Sequence, residues 1–390
     1  MGNTTTSVDR DLSPATEPER SGRSKPLTGT GLCLSGGGYR AMLFHAGVLW
    51  RLNEIGMLSK LARISSVSGG SITAGVLAYK WRNLSFDASG VATNLATEFV
   101  APIRSLAQVT IDAWAIGMGT LNPFATIGDE VRDAYAKHLF GDATLQDLPD
   151  SPRFVINATN VQSSALFRFS KKYMGDWRIG LVMSPTVSLA AAVTASSAFP
   201  PVLSPVSIKV NPASFAPPDP EAPPELTGDE YRSRIVLSDG GVYDNLGLET
   251  VWKRCETILV SDAGQKIADD PAPAEDWARH AIRVLGVIDN QVRSLRKRML
   301  IAAYQKGERK GAFWGIGTDI ADYGLPDTLP CPHSRTLQLA ATPTRLASTE
   351  EKLQEQLINW GYAVCDAGIR AHVLKDARPP GAFPYPRAAI

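Results

Sequence analysis

The sequence predicts an α/β fold in which helices cover both faces of a central, mostly parallel β-sheet. Two consecutive strand–turn–helix units support this prediction. The first runs from an apolar stretch over 31–34 through the glycine turn 36–38 into a helix over 41–52. The second runs from a short strand over 64–67 through a tight turn into a helix over 71–81. Because strands joined by a crossover helix pair in parallel, two such units in succession indicate this fold.

The remaining elements follow from the spacing of apolar residues along the chain. Strands are predicted over 154–158, 165–169, 235–237 and 257–260. Helices are predicted over 91–100, 103–118, 127–140, 187–197, 274–304 and 349–374.

Composition divides the chain into three parts. Residues 1–27 are polar and rich in Ser, Thr, Pro and charge, which predicts a disordered N-terminal tail. Residues 28–310 contain every predicted strand and are expected to form one domain. Within it, residues 204–231 are dense in proline and acidic residues, which predicts a surface loop, either a lid or an inert insertion. Residues 311–390 are expected to form a C-terminal helical extension packed on the same domain.

Charge and cysteine content exclude several classes of protein. The 390 residues include 40 basic and 39 acidic ones, so the formal charge of +1 gives no reason to expect a nucleic-acid polymer as partner. The four cysteines form no CxxC pair, so a structural zinc site is not predicted. No other metal and no cofactor is predicted either. The chain shows no secretory h-region and no apolar run of about 18 residues. We therefore expect a cytoplasmic protein without a transmembrane helix.

Ser68 occupies the turn between the second predicted strand and its helix. A serine in such a position exposes its hydroxyl group, and the helix N-terminus adds positive potential there. The crowded turn requires small neighbours, which Ser66, Gly69 and Gly70 provide. The pattern S-V-S-G-G departs from G-x-S-x-G at Ser66. Ser68 is therefore a candidate nucleophile, the alternative being a serine that caps a helix.

The glycine turn Gly36-Gly37-Gly38 also opens a helix. Successive backbone N–H groups in such a turn form a concavity that binds anions, and in acyl transfer each such donor contributes about 3–4 kcal/mol to stabilising the oxyanion. Arg40 could add a positive charge to the same site, or could be a solvated arginine at the helix start. The stretch 36–41 also fits the dinucleotide pattern G-x-G-x-x-A, but no acidic residue ends the second strand, and no G-K-[ST] follows for a phosphate-binding loop.

A hydroxyl nucleophile needs a proton acceptor within hydrogen-bond reach. None of the five histidines lies in a glycine-rich turn or at a strand end, and His45 falls inside the first helix, where packing is expected. Asp239 ends the predicted strand 235–237 and is followed by two glycines, so its carboxylate can approach another loop. In an open parallel sheet the carboxyl ends of strands share one edge, where ligands bind.

Three stretches in order along the chain, S-G-G-G-Y-R at 35–40, S-V-S-G-G-S at 66–71 and S-D-G-G-V-Y-D-N at 238–245, resemble the signature motifs of bacterial patatin-like phospholipases. The resemblance covers roughly residues 30–310 and implies a three-layer α/β/α patatin-like fold. It further implies that Ser68 is the nucleophile and Asp239 the general base, a dyad without histidine. The turn 36–38 would supply the oxyanion hole, with Arg40 at the family's basic position.

The resemblance implies a phospholipase A-type serine esterase that cleaves fatty-acid esters through an acyl-enzyme. The expected substrate is a phospholipid or another acyl lipid, with peripheral contact at the inner face of the membrane.

Nine basic and two acidic residues lie between 278 and 310. Of these, Arg293, Arg296, Lys297 and Arg298 could meet anionic headgroups or could form a solvated helix face. Two alternatives stay open: a membrane-degrading effector of bacterial defence switched on by a small nucleotide activator, and a non-catalytic lipid-binding protein.

Overall fold

The computed structural model describes residues 28–111, 127–201, 203–218, 222–264 and 267–390. The tail predicted over 1–27 lies outside these residues, as does part of the helix predicted over 103–118. Ten strands in the described chain form one mixed sheet. They are Thr30–Leu34 (β1), Leu61–Val67 (β2), Arg153–Asn160 (β3), Ala165–Phe169 (β4), Tyr173–Asp176 (β5), Gly180–Met183 (β6), Val206–Lys209 (β7), Arg234–Asp239 (β8), Thr257–Asp262 (β9) and Lys310–Gly315 (β10).

The α-helices cover both faces of this sheet. They are Gly38–Glu54 (α1), Gly69–Lys80 (α2), Ala101–Leu106 (α3), Ile127–Tyr135 (α4), Leu189–Ser196 (α5), Asp229–Arg232 (α6), Gly241–Asp244 (α7), Glu249–Trp252 (α8), Trp277–Gln305 (α9), His333–Ala340 (α10) and Glu351–His372 (α11). Successive side chains of a strand point to opposite faces. Leu32 and Leu34 of β1 accordingly enter a large core with α1, α2, α5 and α11, whereas Cys33 enters a smaller core with α8 and Leu300 of α9.

The predicted α/β/α fold around a mostly parallel sheet is confirmed. Strands β10, β9, β1, β2 and β3 are neighbours in this order and run parallel. Strands β4, β5 and β6 continue the sheet beyond β3 in antiparallel directions. The sequence pattern predicts β4 but not its direction, because short apolar runs look alike in parallel and antiparallel strands, and it misses β5 and β6, which have only four residues each.

One edge of β3 pairs with two different strands in succession. Residues 153–157 of β3 pair in parallel with β2, and residues 158–160 pair with β8 in the antiparallel direction. The opposite edge of β3 is occupied by β4. The carboxyl ends of β2 and β8 therefore meet head to head beside β3. Asp239 lies at the expected edge of the sheet. The expectation that it ends a parallel strand is wrong, because β8 runs antiparallel to β3.

Two further segments differ from the predicted organisation. The segment 204–231, predicted as a surface loop, contains strand β7, because its residues 206–209 pair with β8 and so satisfy their backbone groups within the sheet. Strand β10 extends the sheet beside β9 and crosses the boundary drawn at residue 310. The C-terminal helix α11 packs along α1 in the large core.

Helices α1 and α11 touch through two glycines. A Cβ atom added to Gly47 would collide with the carbonyl oxygen of Ile358, and one added to Gly361 would collide with that of Phe44. We expect Gly361→Ala to lower the free energy of unfolding by about 1–3 kcal/mol through overpacking, although alanine favours the helix. Urea unfolding measures this change. In the matched control Gly317→Ala, whose Cβ meets nothing within 4 Å, the change should stay within about 0.5 kcal/mol; equal losses in both variants would contradict the packing argument.

Candidate active site

Ser68 lies between the end of β2 and the start of α2 in a strained backbone conformation. Its φ of 51° and ψ of −122° fall where residues other than glycine are rarely found. The residues that follow must be glycines, because a Cβ on Gly69 would collide with the carbonyl oxygen of Gly38, and one on Gly70 would lie 2.5 Å from that of Leu34. The turn that carries Ser68 therefore packs backbone to backbone against the glycine turn 36–38.

A network of serines lies beneath this turn. The Ser71 hydroxyl donates to the Ser66 oxygen over 3.0 Å, and the Ser66 hydroxyl donates to the carbonyl of Val155. The Ser196 hydroxyl donates to the carbonyl of Asn157 over 2.6 Å and accepts the backbone N–H of Ser68 at 3.0 Å. The serine at position 66, where the motif has glycine, is thus satisfied by hydrogen bonds, and Ser196 holds the backbone of Ser68.

Asp239 places a fully buried carboxylate at the end of β8. Its Oδ1 accepts the N–H of Gly241 at 2.7 Å, while Oδ2 has no hydrogen-bond partner of standard geometry among the described residues. Burial raises the pKa of Asp239 from its ordinary 3.8 to about 7. The Gly241 N–H, which donates to the carboxylate, and the nearby Ser68 hydroxyl group lower this pKa, and the charge of Asp289 raises it. The carboxyl group therefore titrates near neutral pH beside Ser68.

The glycine turn offers fewer free donors than the sequence suggests. The Gly36 N–H donates to the carbonyl of Asn245 at 3.2 Å. No acceptor for the N–H groups of Gly37 and Gly38 lies within the described chain. Gly37 (φ 141°) and Gly38 (φ 58°) adopt conformations that favour glycine, and a Cβ on Gly38 would lie 2.6 Å from the carbonyl oxygen of Arg345. The backbone N–H groups of Gly37 and Gly38, at the N-terminus of α1, are therefore available to bind an anion, whereas the N–H group of Gly36 holds the turn.

Arg40 is buried, so the alternative of a solvated arginine is wrong. Its Nε and Nη2 donate to the carbonyl of Ala263 at 3.1 and 3.0 Å, and Nη1 donates to the carbonyl of Thr342. Burial lowers the pKa of Arg40 to about 10, although Asp262 raises it. Arg40 also lines the cavity that contains Ser68 and Asp239. These contacts tie the glycine turn to two later segments of the chain, and a direct role of Arg40 towards the oxyanion stays a prediction.

His45 is buried away from the dyad and holds the start of the glycine turn. Its Nε2 donates to the carbonyl of Ser35 at 3.0 Å, a pairing that makes Nδ1 the acceptor for the Ser261 hydroxyl at 2.9 Å. Burial lowers the pKa of His45 to about 3. The ring is therefore neutral at physiological pH and serves as a structural link between β1 and β9.

A cavity of about 600 Å³ contains Ser68, Asp239 and the glycine turn. Phe199, Pro200 and Pro201 form part of its wall, and so do Asn245, the last residue of the third motif, and Arg293. Sequence reasoning missed the remaining wall residues, which come from distant segments without a motif. They are Leu203, Gly264, Ile282, Asp289, Thr344, Arg345 and Leu346. None of the described residues of 204–231 lines the cavity.

The described residues contain no group of three or more His, Cys, Asp or Glu side chains that could hold a metal ion. Among the helices they form, none is long and apolar enough to cross a membrane.

Because the pKa of Asp239 is raised, the free energy of unfolding should depend on pH through this carboxyl group. Above pH 7 the folded protein holds a buried charge that costs free energy, whereas only well below pH 3.8 is the carboxyl group neutral in both the folded and the unfolded chain. We expect Asp239→Asn to raise the free energy of unfolding at pH 8 by up to about 4 kcal/mol, because each pKa unit corresponds to about 1.4 kcal/mol. Urea unfolding at pH 3.5, 6 and 8 measures the trend.

The control for this prediction is Asp87→Asn. The pKa of the exposed Asp87 is lowered by the Ser89 hydroxyl and the Val91 N–H, so its charged form stabilises the fold and the substitution should destabilise the protein at pH 8. A destabilised Asp239→Asn variant at pH 8 would contradict the assignment of a costly buried charge.

One protein-family model matches this chain, and several solved structures are similar to it at low sequence identity. No curated protein matches the sequence. Human GIVD cytosolic phospholipase A2 in complex with methyl gamma-linolenyl fluorophosphonate is 16% identical, with a TM-score of 0.47, covering 90% of this chain and 59% of that one. VipD from Legionella pneumophila is 16% identical, with a TM-score of 0.29 and coverages of 89% and 74%. The chain spans 48% and 60% of the first two human phospholipase structures.

The family model for patatin-like phospholipase matches residues 32–252, more than half of the chain, and the protein therefore belongs to the patatin-like phospholipase family.

Proposed function

We propose that the protein is a phospholipase A-type acyl hydrolase that acts through the dyad Ser68 and Asp239. The observation that carries this proposal is the Ser68 hydroxyl beside the buried Asp239 carboxylate, whose pKa is raised to about 7. A base with a pKa near the working pH combines a useful ionised fraction with enough basicity to accept a proton. Family membership supports a lipid substrate.

In the first half-reaction, Asp239 takes the proton of the Ser68 hydroxyl while Oγ attacks the ester carbonyl carbon. The N–H groups of Gly37 and Gly38 hold the resulting oxyanion at the N-terminus of α1. Collapse of the tetrahedral intermediate breaks the ester bond, and the protonated Asp239 gives its proton to the leaving lysolipid alkoxide. An acyl-enzyme on Ser68 remains.

In the second half-reaction, water replaces the lysolipid. Asp239 takes a proton from this water, whose oxygen attacks the acyl carbonyl carbon. When the second tetrahedral intermediate collapses, the bond to Ser68 breaks and Asp239 returns the proton to Oγ. The fatty acid leaves, and the dyad regains its starting protonation state.

The walls of the cavity favour an acyl chain over a polar substrate. Phe199, Leu203, Ile282 and Leu346 contribute apolar side chains on several sides of the space above Ser68. A cavity of about 600 Å³ lies within the range of small-ligand sites. Control by a small nucleotide stays a hypothesis, and adding cyclic nucleotides to the hydrolysis assay tests it.

We expect Ser68→Ala and Asp239→Asn each to lower kcat for fatty-acid release from phospholipid vesicles by about 10⁴-fold or more, because each variant removes one half of a unit that acts together. Mass spectrometry of the released fatty acids measures the rate. Ser207→Ala and Asp150→Asn, exposed residues of the same types, should keep the wild-type rate. A wild-type protein that binds vesicles without releasing fatty acid would instead favour the non-catalytic lipid-binding protein.

The pH dependence of the reaction follows from the same carboxylate. Asp239 acts as a base only when ionised, so kcat/KM should rise with pH to a plateau above about 7 and fall about tenfold per pH unit below it. A water-soluble short-chain ester is the substrate of choice, because its own state does not change over this range. A profile that stays flat down to pH 5 would exclude Asp239 as the general base.

A further inference from the structure

Helix α9 exposes large apolar side chains over most of its length. Of its 29 residues, only Leu300 and Ala303 are buried. Trp277 is 85% exposed, the highest value of the group. The exposed apolar residues, called here the α9 patch, are Trp277, Ile282, Val284, Leu285, Val287, Ile288, Leu295 and Met299. So much apolar surface on one helix marks an interaction site.

The arrangement of the α9 patch around the helix axis indicates what covers it. At 3.6 residues per turn, its five residues between 282 and 288 spread over about 220° of the circumference. Leu285 and Ile288 also belong to a heptad seam, which a second copy of the helix could cover. Such pairing would leave Ile282 and Val287 outside the seam. Immersion in lipid covers all of these side chains at once.

The charge of α9 fits an anionic surface. The helix contains six Arg or Lys residues and one acidic residue. The headgroup contacts expected for Arg293 and Arg296 are corrected by the structure: Arg296 donates to Glu249 at 3.1 Å, and Arg293 lies 3.8 Å from Asp262, so both face the protein. The exposed cations without a carboxylate partner in the described chain are instead Lys297 and Arg298, whereas the exposed Arg279 pairs with Asp276 at 2.5 Å. Exposed basic groups of this kind attract anionic headgroups.

The α9 patch adjoins the mouth of the catalytic cavity. Ile282 belongs both to the patch and to the cavity wall, to which Asp289 and Arg293 of the same helix also contribute. Phe199, 55% exposed, lines the cavity as well. A surface that covers the patch therefore lies directly against the opening above Ser68.

We propose that α9 is a membrane-docking helix that inserts its exposed apolar side chains into an anionic lipid surface and places the cavity mouth against it. The purpose of this docking rests on the proposed function, because a hydrolase of membrane lipids must take an acyl chain out of the bilayer. Docking itself is measured separately from hydrolysis.

The test is co-sedimentation with vesicles of phosphatidylglycerol and phosphatidylcholine in equal amounts, and with vesicles of phosphatidylcholine alone. The wild type should bind the anionic vesicles more tightly, and Leu285→Asp with Ile288→Asp should lower the partition coefficient at least tenfold. The matched control, Met183→Asp with Leu337→Asp, changes two side chains of similar exposure elsewhere and should stay within twofold of wild type. Thermal unfolding verifies that both double variants remain folded.

Hydrolysis of a soluble short-chain ester separates docking from catalysis. Leu285 and Ile288 do not line the cavity, so their double variant should hydrolyse this ester at the wild-type rate while losing fatty-acid release from vesicles. Vesicle binding that persists in the double variant would overturn the proposal. It would also be overturned if light scattering showed that the wild type is a dimer and the double variant a monomer with undiminished lipid binding. Ser68→Ala that binds vesicles normally, together with a wild type inactive on every ester, would retain docking and reject the proposed function.

Discussion

The whole site depends on the way in which β3 shares one edge between two strands. Strand β2 pairs with 153–157 and β8 with 158–160, so their carboxyl ends point at each other along the same line. Ser68 and Asp239 follow from these two ends. The proposed nucleophile and its proposed base thus come from segments far apart in the chain, yet pairing with one central strand brings them together.

Burial of this junction explains both the chemistry and the glycines around it. A carboxylate enclosed by sheet and turns is costly when charged, which raises the pKa of Asp239 to about 7. The turns at 36–38 and 68–70 contact each other through backbone atoms, so side chains are excluded there and amide groups of the first turn line the cavity. The backbone strain at Ser68 and the costly burial of the Asp239 carboxyl group therefore occur together at the site of the proposed reaction.

Local features of the sequence predict the parts of this site that depend on short-range structure. Small residues between apolar runs predict the strand–turn–helix units, the turn that carries Ser68 and the glycine turn 36–38. The direction of β8, the burial of Arg40 and the wall at 344–346 depend on pairing between distant segments, which no local pattern encodes. The helical spacing of α9 is equally visible in the sequence, but only the structure shows that its apolar side chains are exposed.

The proposed function requires an activated serine at the junction of β2 and β8. The most direct test is labelling with an alkyl fluorophosphonate, in which the serine oxygen displaces fluoride from phosphorus, followed by mass spectrometry of the peptides. If Asp239 activates Ser68, one adduct forms on the peptide that contains Ser68, and none forms on that peptide in Asp239→Asn. An adduct on another serine, or equal labelling of Ser68 without the Asp239 carboxylate, would contradict this proposal.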